Sequence, residues 1–347
     1  MNILIDENIP GFENLGLKNI SFVPFNGRKL CNNDIKELGS EIIIVRSTTE
    51  VNEELLKGTE IKFVGTATSG FNHLDLEYLE KVGIEYFIAK GCNANSVAEY
   101  VIFGILHWSF LNEIDLSRKS IGIIGYGNVG SIVARYSKHI GLNVFINDPP
   151  LFENKCVYDY KYLHLEELIS RVDIISVHTP LVNDGKYPTR YLLNKDNLNR
   201  LNNGALIINS ARGGIVDEDF YIGKGISSIF DVWENEPKYN QELANQSLIA
   251  TPHIAGYSRN AKLNGAIRCY DAINDYLRRN GISAHIHYLM GNELPELGDI
   301  SKLGNEEIYK VLIENRDILK DSNNFCRHNK DFDFQRKNYP IRYESFF

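Results

Sequence analysis

From residue 1 to about residue 92, short apolar runs alternate with polar stretches of helical spacing. Residues 2–6, 20–25, 41–46, 61–66 and 84–87 read as strands. Between them, 32–39, 51–58 and 73–82 repeat their apolar positions at helical intervals, several closing on glycine. Strands that alternate with helices predict a parallel sheet covered on both faces. Residues 96–111 read as one long helix, with Asn95 or Ser96 as N-cap and Glu99 completing a capping box. A second series of strands follows at 120–125, 143–148, 172–178, 205–210, 226–232 and 247–251, and residues 260–279 are helical again, able to pack back on the first unit. Beyond residue 281 long apolar strands become scarce, and 329–347 form a charged tail.

Composition narrows the partners. The 347 residues carry 37 basic and 45 acidic side chains, a net charge of −8, which argues against broad nucleic-acid binding. Five scattered cysteines (Cys31, Cys92, Cys156, Cys269 and Cys326) form no CxxC pair, which fits reduced thiols and predicts no metal site. The longest apolar stretch, 101–111, is broken by Gly104, His107 and Ser109 and is far shorter than the ~20 residues of a membrane span. The expected location is the cytoplasm, with no membrane partner.

Candidate chemistry begins at residues 121–130, where a strand runs through Gly125-Tyr126-Gly127-Asn128-Val129-Gly130 into a helix. In such a GxGxxG turn Gly125 permits the tight bend, Gly127 lets backbone approach a pyrophosphate, and Gly130 allows close helix–strand packing. The helix N-terminus offers amide donors and a positive dipole end to phosphates. Asp148 ends the next strand, 18 positions after Gly130, where an acid binds ribose hydroxyls and repels a 2′-phosphate. NAD is therefore the predicted cofactor, on a Rossmann sheet.

Four further segments close strands of that sheet. They are His178-Thr179-Pro180-Leu181, Asn209-Ser210-Ala211-Arg212-Gly213-Gly214, residues 231–237 (DVWENEP) and residues 251–256 (TPHIAG). Open α/β sheets bind ligands at this edge, so an arginine, a glutamate and a histidine can converge there. Hydride removal from a 2-hydroxy acid needs that set: a two-pronged arginine for the carboxylate, an imidazole for the hydroxyl proton, and an acid to fix the imidazole's tautomer. Glu234, two positions from Glu236, competes for the last role.

These ordered motifs resemble the D-isomer-specific 2-hydroxyacid dehydrogenases. The resemblance implies Arg212 as substrate-binding arginine, His253 as acid/base and Glu236 as its partner. It also implies cofactor contacts at Asn128, Val129, Asp148, Thr179, Ser210, Ala211, Arg212, Asp231 and Gly256. Segments 45–49 (VRSTT), 62–70 (KFVGTATSG), 91–94 (GCNA), 184–187 (DGKY) and His253-Ile254-Ala255-Gly256-Tyr257 resemble one branch, which acts on a phosphorylated polyol acid. Ser47, Thr68 and Tyr257 are the substrate contacts so implied, and their hydroxyls suit such a ligand.

The implied architecture is a flavodoxin-like substrate domain (1–95 plus 257–284), a Rossmann NAD domain (96–256) and a small C-terminal α+β dimerisation domain (285–347). The resemblance thus implies a homodimer, and Arg336 or Arg342 of the tail would offer a cation to the partner subunit's substrate phosphate. Other readings of the same residues stay open: another D-2-hydroxyacid dehydrogenase, such as one acting on phosphoglycerate, or an NAD-sensing binding protein without catalysis. One departure stands out. Arg212 and Glu236 are only 24 positions apart, fewer than the family pattern leads one to expect, with the deficit around residues 219–225.

Overall fold

The computed structural model describes residues 1–12, 20–154, 159–221, 226–282, 286, 294–327 and 332–347. Cys156 and residues 222–225, part of the connection expected to be short, lie outside the described residues. The chain divides into two compact units, Met1–Asn93 with Ser258–Pro295 and Ala94–Tyr257 with Glu296–Phe347.

The first unit holds strands β1 (Asn2–Asp6), β2 (Ser21–Phe25), β3 (Ser40–Val45), β4 (Phe63–Thr66) and β5 (Glu85–Ile88), all parallel, in the order β2-β1-β3-β4-β5. The central strands are buried along nearly their whole length because successive side chains enter opposite cores. Ile3, Ile5, Ile42 and Ile44 pack with Ala266, Tyr270 and Ile273 of helix Arg259–Arg279. Leu4, Ile43 and Val45 pack on the other face with Ile35, Leu55 and Leu79.

The second unit adds β6 (Ser120–Ile124), β7 (Asn143–Asn147), β8 (Lys161–Tyr162), β9 (Ile174–Val177), β10 (Leu206–Asn209), β11 (Ser227–Phe230) and β12 (Ile249–Ala250), in the order β12-β11-β10-β9-β6-β7-β8. The sequence pattern missed β8, whose two residues are too few to show a period. Helix Ala94–Leu111 is buried on nearly all sides, packing with Ile121, Ile123, Leu206 and Ile229. Among the described residues no helix is long and apolar enough to cross a membrane.

Two expectations change here. The helix begins at Ala94, so Asn95, Ser96 and Glu99 lie inside it and form no capping box. They hold the end of the chain instead. Ser96 Oγ and Asn95 Nδ2 donate to Glu344, and Glu99 Oε1 accepts from the Ser345 and Phe346 amides at 2.6 and 2.8 Å. The C-terminal segment, expected as a separate α+β domain, belongs to the second unit. Among its described residues it is helical (Asn305–Asn315, Ile318–Arg327, Phe332–Lys337), with one isolated bridge, Gly298 to Phe346. Ile308, Leu312, Ile318 and Phe346 join one core of the sheet, Phe325 and Phe332 the other.

Candidate active site

β6 ends in a turn that only glycine can make. Gly125 sits at φ 90°, and a Cβ on Gly130 would lie 2.0 Å from the Gly125 carbonyl oxygen. Gly127, the N-cap of helix Asn128–His139, has nothing within 4 Å of its Cβ position, leaving the space a phosphate needs at a helix N-terminus. Asp148 follows β7: one carboxylate oxygen accepts from Tyr126 N (2.8 Å), bracing the glycine turn, and the other from Leu151 N (3.2 Å). Half-buried, it keeps lone pairs for ribose hydroxyls. Thr179 follows β9, and Ser210 and Ala211 follow β10 at the same sheet edge. The Ser210 hydroxyl is buried without a partner among the described residues, the mark of a polar site built for a ligand. These features fit a dinucleotide.

β10, β11 and β12 are neighbours, so the loops leaving their carboxyl ends stand side by side. The loops touch at Gly213, where a Cβ would fall 1.9 Å from the Trp233 carbonyl oxygen. That approach brings Arg212 beside Glu236. Asn209 braces the loop, accepting from Ala211 N (3.2 Å) and donating to the Arg212 carbonyl (2.9 Å). Burial weakens the Arg212 guanidinium's hold on its proton, while the charge of Glu236 opposes this.

Glu236 Oε1 accepts from Trp233 N (2.9 Å), and its Oε2 lies 2.8 Å from His253 Nδ1. Burial works against ionisation of Glu236, but His253, the Trp233 amide and Arg336 outweigh it and hold the carboxyl below its ordinary range. An ionised carboxylate can only accept, so the neutral imidazole carries its proton on Nδ1 and leaves the Nε2 lone pair free for chemistry. Asn235 and His253 have φ of 64° and 56°, left-handed backbone that non-glycine residues adopt only where the surroundings dictate it.

The rival acid is elsewhere. Glu234 Oε1 accepts from Arg190 and Tyr191, both at 2.7 Å, and its amide donates to buried Glu218, which burial pushes up to about 7. His178 hydrogen-bonds Ser176 (2.8 Å), and burial pushes it down to about 3, so it stays neutral.

Asp231 is buried. Its carboxylate accepts from Thr251 Oγ1 (2.7 Å), Ile254 N (2.7 Å) and Ala255 N (2.9 Å), so it shapes the turn that carries His253 and Gly256. Tyr257 lies with its ring 5.6 Å from the Arg336 guanidinium and 6.0 Å from the Tyr339 ring. Arg336, expected to serve a partner subunit, is thus close to Tyr257 and Glu236 of its own chain. In the first unit, exposed Ser47 follows β3. Thr68 follows β4, bonded to Thr66 Oγ1 (2.8 Å) and the Gly70 carbonyl (3.0 Å), while Thr66 also meets His73 Nε2 (3.0 Å). Pattern reading gave no role to Asn209, which braces its own loop, or to Glu218 and Arg316, whose contacts are with distant segments that no local spacing announces.

A seven-stranded dinucleotide sheet with arginine, carboxylate and imidazole on three adjacent loops is the arrangement of an NAD-dependent 2-hydroxyacid dehydrogenase. Residues 106–255 match the family model of the D-isomer specific 2-hydroxyacid dehydrogenase, NAD binding domain. Solved structures share the fold: the NAD+-bound 3-phosphoglycerate dehydrogenase of Entamoeba histolytica (TM-score 0.66, 24% identity, 84% of this chain and 99% of that one) and the D-lactate dehydrogenase of Aquifex aeolicus with NAD and lactic acid (TM-score 0.61, 24% identity, 81% and 96%). Nearer in sequence are the erythronate-4-phosphate dehydrogenases of Hydrogenovibrio crunogenus, 35% identical over 99% of this chain and 92% of that protein, and of Proteus mirabilis, 36% identical over 99% and 93%. The chain belongs to the erythronate-4-phosphate dehydrogenase family of NAD-dependent oxidoreductases.

Proposed function

We propose that this protein oxidises 4-phospho-D-erythronate at C2 to (R)-3-hydroxy-2-oxo-4-phosphooxybutanoate, a step in vitamin B6 biosynthesis. The 2.8 Å contact of Glu236 with His253 Nδ1, with Arg212 beside it, is the observation that carries this reading. Bound NAD supplies the hydride acceptor. Arg212 grips the C1 carboxylate with two parallel hydrogen bonds, which fixes the plane of the reacting carbon. His253 Nε2 accepts the C2 hydroxyl proton as the C2–H bond breaks, and the imidazolium so formed keeps its Nδ1–H on Glu236. Such positioned proton transfer is worth ~10²–10⁴-fold in rate. Asn128, Val129, Asp148, Thr179, Ser210, Ala211, Asp231 and Gly256 line the cofactor side, and Ser47, Thr68 and Tyr257 serve the substrate.

The phosphorylated substrate is favoured by the names of the relatives and by Arg336 near Tyr257. A homodimer through the C-terminal segment is favoured by its exposed Phe334 and Ile341, and a cytoplasmic location by the substrate's chemistry. Absorbance of NADH formed from 4-phosphoerythronate, erythronate and 3-phosphoglycerate tests the reading. Removing the phosphate should lower kcat/KM by ~10⁴-fold, the cost of leaving the groups that would bind it unpaired. Preference for 3-phosphoglycerate refutes the substrate, and NADH binding without turnover of any hydroxy acid indicates a sensor.

A further inference from the structure

The turn that presents His253 is held from behind by a side chain 63 positions away. Arg316, the C-cap of helix Asn305–Asn315, is 5% exposed. Its Nη1 donates to the Ala255 carbonyl at 3.0 Å and its Nη2 to the Ile254 carbonyl. The amides of these two residues donate to the two carboxylate oxygens of Asp231, at 2.7 and 2.9 Å. A planar carboxylate on the N–H side and a planar guanidinium on the C=O side therefore grip the same dipeptide. Two forks on two consecutive residues fix three successive peptide planes and leave that backbone little rotational freedom.

Residues around Arg316 act on the same turn. Its guanidinium lies 5.8 Å from the Tyr100 ring centre, and the Tyr100 hydroxyl meets Thr251 Oγ1 at 2.7 Å. Thr251 in turn donates to Asp231 (2.7 Å), and its carbonyl accepts from Trp233 Nε1 (2.9 Å). Burial opposes the charge of Arg316, but Tyr339, Asp231 and Asp321 outweigh it and keep the guanidinium protonated. Its Nε stays buried without a partner among the described residues. A buried cation with an unmet donor is poor value as a stabilising device, since apolar side chains of similar volume often do as well. The residue that precedes the clamped dipeptide is His253, whose left-handed backbone (φ 56°) needs over-determination.

We propose that Arg316 is a positioning residue for His253: by clamping the Ile254 and Ala255 carbonyls it holds the imidazole on Glu236, so the C-terminal segment completes the active site of its own chain. This rests on His253 being the acid/base. The test uses the whole 347-residue chain and two variants, R316K, which keeps the charge but loses the fork, and R316M, an unbranched side chain with neither charge nor donors.

Two readouts are needed. Steady-state kinetics with 4-phosphoerythronate should show kcat lowered about 10–100-fold in R316K, as a small misplacement of a reacting group costs, with KM changed little. In ¹⁵N-histidine-labelled protein without ligand, at alkaline pH, the His253 signals, assigned by their loss in H253Q, should show a protonated Nδ1 and bare Nε2 in the wild type. In both variants they should move towards averaged tautomers. R316K with wild-type kcat and wild-type ring-nitrogen shifts overturns the proposal. So does an R316K that cannot fold, because the residue then serves stability. Absence of turnover in the wild type sinks the functional reading, whereas the ring-nitrogen shifts still judge the clamp.

Discussion

The anchor of the C-terminal segment gives the sharpest stability prediction. Glu99 is 4% exposed in the middle of helix Ala94–Leu111, and its Oε1 accepts both the Ser345 and Phe346 amides. Burial drives its pKa from 4.5 up to about 8, with Glu344 adding to the rise while the two amides and Arg316 oppose it. The folded protein therefore keeps a proton between about pH 4.5 and pH 8 that the unfolded chain has released, so stability is full below the unfolded value and falls as pH rises through the folded one. Each pKa unit is worth ~1.4 kcal/mol, which puts the cost of ionising Glu99 in place on the order of 4–5 kcal/mol.

Glu99→Gln removes the ionisation and keeps a side-chain carbonyl for the two amides. Relative to wild type, the variant should gain only about 1 kcal/mol near pH 5 and on the order of 4–5 kcal/mol near pH 8.5, because the other titrating groups are common to both proteins. Urea unfolding followed by tryptophan fluorescence reads this directly: Trp108 and Trp233 are both buried in the second unit. Parallel stability curves across that range would falsify the assignment of a neutral, buried Glu99.

Three other outcomes are expected. Glu236→Gln takes the anion from the imidazolium, so the acidic limb of the kcat/KM profile should move to lower pH and kcat should fall; an unmoved limb in folded protein rejects Glu236 as the partner. Gly213→Ala places a methyl group 1.9 Å from the Trp233 carbonyl oxygen, so the Arg212 loop must retreat. Its kcat/KM should drop about 100-fold, and wild-type kinetics would mean the close approach is dispensable. Arg336→Ala should raise KM for 4-phosphoerythronate, with Arg342→Ala, whose side chain lies 4.0 Å from Asp321, as a comparison; unchanged KM in both removes Arg336 and Arg342 as phosphate ligands.

The strands were legible because parallel sheets bury both faces and write continuous apolar runs, as in Ile42, Ile43, Ile44 and Val45. The glycine turn was legible because three glycines at fixed spacing meet one backbone demand. The capping box at residues 95–99 failed for the opposite reason: Ser96 and Glu99 have the spacing of a cap, yet bond to residues 344–346 at the far end of the chain. The choice between Glu234 and Glu236 depended on a turn with Asn235 at φ 64°, which aims the two acids in different directions, and no local pattern encodes that angle. Arg316 had no signal at all, since the carbonyls it binds belong to residues of any type.

The 24-residue spacing from Arg212 to Glu236, expected to be short for the family, bears on whether this site can work. A crossover joins the carboxyl end of one strand to the amino end of the next, so it returns the chain to the side of the sheet away from the ligand edge. β10 and β11 still pair in parallel from Leu206↔Ser227 to Asn209↔Phe230. The loop carrying Arg212 leaves β10 and the loop carrying Glu236 leaves β11, both at the intact edge, and Gly213 still lies against Trp233. Register between the two strands, not the length of chain connecting them, sets how far Arg212 stands from Glu236. The spacing of 24 residues between Arg212 and Glu236 is therefore compatible with the two side chains standing beside each other.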